Sequence, residues 1–170
     1  ANVMLKNQKP DEAILLLQDS ALAHTDSYTI DIGLAEVYSK LKETNNAVKV
    51  MRNAYDRGGK QSLPVLKQYT KALAENANAS QLSAVLDQYK SLWAEKKGYG
   101  HGITMGFFAG MAGLTTTAIS IMNETIEAHP DKFDADLELA NIYANNDQAS
   151  EAETVITEAY NRGGRDNINV

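Results

Sequence analysis

The sequence contains no cysteine. Disulfides, thiolate metal sites and cysteine nucleophiles are therefore excluded, while a reducing cytosol and a bacterial periplasm both stay compatible. Proline is scarce too, with three in 170 residues against abundant alanine and leucine, a balance that favours helix. No apolar run approaches the ~20 residues that cross a bilayer. The most apolar stretch, 103–114, is shorter and holds Gly106, Gly110 and Gly113. Residues 1–6 have neither the basic start nor the long apolar segment of a signal peptide. The chain opens on Ala1 instead of Met, which points to a processed chain or a fragment, with any targeting signal outside this window. Clustered basic residues are also missing. The net charge is -6 and the densest basic pair is Lys96-Lys97, so nucleic acid is not an expected partner.

What is present is an apolar fraction of 44%, enough for one domain with a continuous core, and an internal echo. Residues 54–60, Ala-Tyr-Asp-Arg-Gly-Gly-Lys, return at 159–165 as Ala-Tyr-Asn-Arg-Gly-Gly-Arg, an offset of 105 or three times 35. Upstream, Leu34, Ala35, Tyr38 and Ala47 correspond to Leu139, Ala140, Tyr143 and Ala152 at the same offset. A period of this size marks stacked units that bury their apolar faces only against neighbours.

Two helices fit each period. Ile30, Leu34, Val37, Tyr38 and Leu41 share one face of a helix over 28–42. Asn45 is placed to cap a second helix carrying Ala47, Val48, Met51, Ala54 and Tyr55, which Gly58-Gly59 ends. Leu63-Pro64 starts a third that runs to about Glu75, and after Asn78-Ala79-Ser80 a fourth carries Leu82, Val85, Leu86, Tyr89 and Leu92. A further hairpin is expected over about 101–112 and 115–128, stopped by Pro130. In the last, Asp134 caps a helix through Asn145 and 148–162 is its partner, closed by Gly163-Gly164. At the front, Pro10 starts a lone second helix with Ala13, Ile14 and Leu17, preceded only by the tail 1–7.

This pattern resembles the tetratricopeptide repeat family, although other helical-hairpin solenoids share the period. Leu34, Ala35, Tyr38, Ala47, Met51 and Ala54 match its signature, as do Leu139, Ala140, Tyr143, Ala152, Ile156 and Ala159, and in part Met105, Gly106, Ala118, Met122 and Pro130. Tyr69-Thr70 and Leu82 depart from it. The resemblance implies an all-α, right-handed superhelical solenoid of antiparallel hairpins, about four and a half repeats in a single domain over 1–170. The register places a partial repeat at 1–26, repeats at about 27–61, 62–97, 98–131 and 132–165, and a tail at 166–170. It also implies a groove lined by first helices. That groove would show Thr29, Ile32, Gly33, Glu36 and Lys40, then Lys67, Gln68, Lys71 and Glu75. Ile103, Thr104, Phe107 and Met111 would follow, and then Leu137, Glu138, Asn141 and Asn145.

The helix over 99–111 is apolar almost all round, and Gly102, Gly106 and Gly110 form a smooth stripe along it. It marks the expected site: a peptide or partner helix centred on Phe107 and Met111, flanked by Lys67 and Lys71, with Ile103, Asn141 and Asn145 completing the groove. The alternative is that these groups pack against a missing segment or another copy of the chain. The family members that grip a carboxylate use Lys and Asn at fixed groove positions. Glu36, Lys71, Phe107 and Asn141 stand there in this sequence, so chaperone-tail binding is not expected.

No catalytic, cofactor or metal constellation emerges. His24, His101 and His129 are far apart and read as surface residues near loops. No phosphate loop, Gly-x-Ser-x-Gly or His-Glu-x-x-His occurs. Asp131, Asp134 and Asp136 suit a helix N-terminus and lack the spacing of a calcium loop. The expectation is a non-enzymatic scaffold that binds a protein or peptide and makes no direct membrane span. Its rival is a self-assembly module, a homo-oligomer within a larger protein such as those of bacterial envelopes or secretion. A hydrolase or transferase would need a catalytic domain elsewhere.

Overall fold

The computed structural model describes residues 10–96 and 98–163. The tail 1–7, Lys97, Gly164, Arg165 and the tail 166–170 lie outside the described residues. Regular structure within them is entirely helical. In chain order it comprises α1 (Pro10–Ala23), α2 (Tyr28–Lys40), α3 (Thr44–Asp56), a 3-10 turn (Gly59–Gln61), α4 (Leu63–Glu75) and α5 (Ala79–Lys96). There follow α6 (Tyr99–Met111), α7 (Thr115–Ala128), α8 (Asp134–Ala144) and α9 (Ala149–Asn161). The chain forms two compact units that divide between Tyr89 and Lys90, inside α5.

The hairpins share one turn. Lys42, Ala77, Gly113 and Asp147 all adopt positive φ, at intervals of 35, 36 and 34 residues. After each, the next residue's N–H donates five residues back, closing a six-residue loop: Glu43 to the Tyr38 carbonyl, Asn78 to Leu73, Leu114 to Ala109 and Gln148 to Tyr143. This is the Schellman closure, which satisfies the orphan carbonyls of a helix end and reverses the chain in a few residues. Only Gly113 is the residue such a turn prefers, so three of the four closures are silent in the sequence. Lys42 also explains why α3 begins earlier than expected. Glu43 takes the cap position, while Asn45 lies inside the helix and accepts from Asn76 Nδ2 at 2.9 Å.

Second helices end differently. Gly58 and Gly163 adopt φ of 117° and 120°, the left-handed conformation expected after α3 and α9. Pro64 sits in the first turn of α4, and Asn78 Oδ1 accepts from the Gln81 N–H at the start of α5.

In the first unit α1 packs on α2, α2 pairs with α3, and α4 packs on both. Ala35, Ala47 and Ala54 are fully buried and let these helices approach, around Met51, Val65, Leu66 and Leu73. In the second, α6 pairs with α7 and α8 with α9, while α8 also packs on α6 and α7. Its core holds Met105, Ala109, Ala118, Ile121, Met122 and Leu139. Each large apolar side chain fully buried here contributes ~1.5–3 kcal/mol.

The echo carries ion pairs that composition does not reveal. Arg57 reaches Asp31 at 2.6 Å, and Arg162 reaches Asp136 at 2.7 Å, both acids being buried. The acidic cluster before α8 is thus split by packing. Asp136 is an inward-facing ion-pair partner. Asp134 is the first helical residue and Phe133 holds the cap position. The capping group is the Tyr99 hydroxyl, which accepts the Ala135 N–H at 3.0 Å and donates to Asp134 Oδ2. Burial pushes the Tyr99 phenol above its ordinary pKa.

Candidate partner-binding site

The apolar character of α6 resolves into two faces. A Cβ at Gly102 would overlap the Thr125 hydroxyl of α7, and one at Gly106 would lie 2.7 Å from Met122 Cε. At Gly110 it would lie 3.3 Å from Ile142 Cγ1 of α8. The glycine stripe is therefore filled by the protein's own helices, the close helix approach that the spacing of these glycines allows. Close approach uses up the stripe and leaves the other side of α6 outward. There Phe107 is 43% and Met111 48% exposed.

These two side chains border a cavity of about 220 Å³ between α6 and α8. Phe107, Gly110 and Met111 form one wall; Glu138, Asn141, Ile142 and Asn145 form the other, with Asn146 at the end. Phe107 stands edge-on to Phe108 at 5.2 Å, which orients its ring. Asn146 is engaged within the fold, donating to the Ile142 carbonyl and accepting from Thr115. Asn141 and Asn145 are exposed. Glu138 is half-buried, and the loss of solvent raises its carboxyl above the ordinary value.

Of the expected groove residues, Phe107, Met111, Glu138, Asn141 and Asn145 share this cavity. Ile103 is half-buried and outside it. Leu137 lines a separate surface recess with Ala140, Ala152 and Ile156. Lys67 and Lys71 belong to the first unit, where Lys67 is exposed and Lys71 lies 3.9 Å from Glu75. Gln68 is buried, because α4 is covered by neighbouring helices on that side, so it offers nothing to a groove. Gly110 and Ile142 were not among the expected lining residues. The spacing of α6 and α8, which brings them together, has no signal within either helix.

A larger cavity, about 660 Å³, lies in the first unit between α1, α2 and α3. Of the charged groups lining it, Asp31 and Arg57 pair with each other, Asp19 and Lys49 stand at its rim exposed to solvent, and Gln18 donates to Tyr38 at 3.0 Å. Of the histidines, His24 is exposed, whereas His101 lies half-buried within α6 and His129 packs edge-on against Tyr99 at 5.3 Å. All three thus keep contact with solvent, His101 and His129 only in part. Among the described residues no group of three or more acidic or histidine side chains is placed to hold a metal ion. No described helix is long and apolar enough to cross a membrane.

Paired helices closed by the same turn every 34 to 36 residues define a helical-hairpin repeat protein. Its fold is that of the tetratricopeptide repeat proteins. No protein-family model and no curated protein sequence matches the chain. Solved structures do. MamA (residues 41 to the end) from Desulfovibrio magneticus RS-1 superposes with a TM-score of 0.69 at 14% identity, over 98% of this chain and 92% of that one. A Podosopora anserina protein described as a kinesin light chain with nearly identical TPR-like repeats gives 0.74 at 13%, over 98% and 93%. A tetratricopeptide repeat protein from Parabacteroides merdae gives 0.68 at 15%, over 95% of this chain and 62% of that one. At these identities the likeness is one of fold.

Proposed function

We propose that the chain is a non-enzymatic protein-interaction scaffold, and that the cavity between α6 and α8 receives a segment of a partner protein. The observation that carries this reading is the pair of exposed apolar side chains, Phe107 and Met111, bordering a cavity instead of standing on a flat surface. At about 220 Å³ the cavity is smaller than the ~300–1,000 Å³ that encloses a small-molecule ligand, and it suits one or two side chains. An aromatic anchor in a pocket, surrounded by exposed amides, is the usual anatomy of a peptide contact. The test compares partner capture by the wild-type chain, Phe107→Asp and Met111→Asp, with circular dichroism reporting the fold. Loss of capture by folded variants supports the site, and undiminished capture removes it.

A second reading, self-association, is favoured by Leu15, Leu16 and Leu22 of α1, which are 60%, 48% and 80% exposed. Sedimentation across a concentration series separates the two. A strict monomer that still binds a partner leaves only the first.

A further inference from the structure

Glu138 is the one ionisable side chain lining the cavity between α6 and α8. Its neighbours there are Phe107, Met111 and Ile142, apolar, and Asn141 and Asn145, neutral. The described residues offer it no cationic partner: the ion pairs among them join Arg57 to Asp31, Lys71 to Glu75, Lys90 to Glu124 and Arg162 to Asp136. The buried acids of these repeats are treated differently. Asp31 and Asp136 are each met by an arginine of their own hairpin.

A carboxylate kept partly from water beside an apolar pocket, without a countercharge, is half of an ion pair. The missing half is a cation carried by whatever occupies the cavity. We infer that the cavity selects a peptide segment with two features: an apolar side chain seated against Phe107 and Met111, and a lysine or arginine close by that pairs with Glu138. This rests on the reading of the cavity as a partner site and specifies the chemistry of that partner. A basic group approaching Glu138 displaces less bound water than at a fully exposed carboxylate, because burial has already removed part of it, so the pair gains more than an exposed one. Asn141 and Asn145 stand exposed on the same wall and offer donors and acceptors to the segment's backbone. An acidic segment meets like charge at Glu138 and is rejected.

The experiment uses an array of synthetic decapeptides in a serine–glycine background. Each carries one leucine or phenylalanine, with lysine, arginine, glutamine or glutamate at every spacing from it. Binding of the full chain is read for wild type, Glu138→Gln, Phe107→Asp and Glu127→Gln. The last removes the same unit of charge from an exposed site on α7. Lysine and arginine peptides should bind at least tenfold better than glutamate ones at the favoured spacing. Glu138→Gln should cut that preference to threefold or less with the apolar requirement intact, Phe107→Asp should abolish binding, and Glu127→Gln should match wild type. Binding that needs Phe107 but ignores charge overturns the inference while the partner site stands. A preference lost equally in Glu127→Gln traces it to net charge and overturns the inference too. No binding by any peptide removes both.

Discussion

Arg162 closes on Asp136 at 2.7 Å across the last hairpin, with the acid 1% exposed and the arginine side chain 30% exposed. Arg57 and Asp31 repeat the contact 105 residues earlier at 2.6 Å. The two members of such a pair are not equivalent. The arginine can turn to water if its partner goes, whereas the carboxylate cannot, and Asp136 Oδ2 already lacks a hydrogen-bond partner among the described residues.

Arg162→Met should therefore cost more than Asp136→Asn. The first leaves a buried carboxylate unpaired, for a loss of about 2–3 kcal/mol, below the ~3–5 of a fully buried pair because water reaches the arginine end. The second should cost about 1 kcal/mol. Urea titrations can follow the fluorescence of Trp93, the only tryptophan, which is buried and donates to the Gly98 carbonyl at 2.9 Å. Equal losses, or the reverse order, would contradict this account.

Ala77 holds φ at +55° in the turn between α4 and α5. Left-handed backbone costs an alanine about 1–2 kcal/mol, and glycine gives back part of that through its freer unfolded state. Ala77→Gly should stabilise the protein by about 0.5–1 kcal/mol. The same change at Ala72, fully buried within α4, should destabilise it by a similar amount or more. Thermal unfolding of the two variants side by side decides the matter.

Glycine within α6 makes the opposite case. Gly102→Ala adds a methyl where Thr125 already stands, and the strain of ~1–3 kcal/mol outweighs the ~1 kcal/mol of helix propensity gained. Gly100→Ala meets nothing within 4 Å and should be neutral or stabilising. If both substitutions stabilise, α6 and α7 are not packed through Gly102.

Burial raises the Glu138 carboxyl, so the folded chain takes up this proton more readily than the unfolded chain. Ionised Glu138 thus opposes folding at neutral pH, and that opposition fades as pH falls through the folded pKa. Glu138→Gln should be more stable than wild type at pH 7, with the difference shrinking towards pH 4. Denaturant midpoints measured at a series of pH values give the comparison, and a constant difference would mean the carboxylate is not desolvated.

Much of the fold was legible before the structure. The period showed as Leu34-Ala35 against Leu139-Ala140 and as the paired glycines, and α4 begins and ends where Pro64 and the apolar spacing place it. The closures at Lys42, Ala77 and Asp147 were not legible, since a six-residue backbone bond dictates left-handed geometry there without asking for glycine. Asp31 and Asp136 were equally hidden: an acid on a first helical turn looks solvated until an arginine 26 residues later folds back onto it.

The cavity shows the same division. The repeat register implied by the family resemblance named Phe107 and Met111 as groove residues, whereas spacing within α6, apolar almost all round, could not tell its outward face from its packed one. The sequence also determined the helices, their pairing and their repeat. What occupies each face was settled only by packing between helices. Thr125 and Met122 filled the glycine stripe that the sequence left open, Gln68 turned inward, and the approach of α8 to α6 set Glu138 and Ile142 beside Phe107. Contacts between residues some thirty positions apart carry no signal in either segment alone, so the tertiary structure decided them.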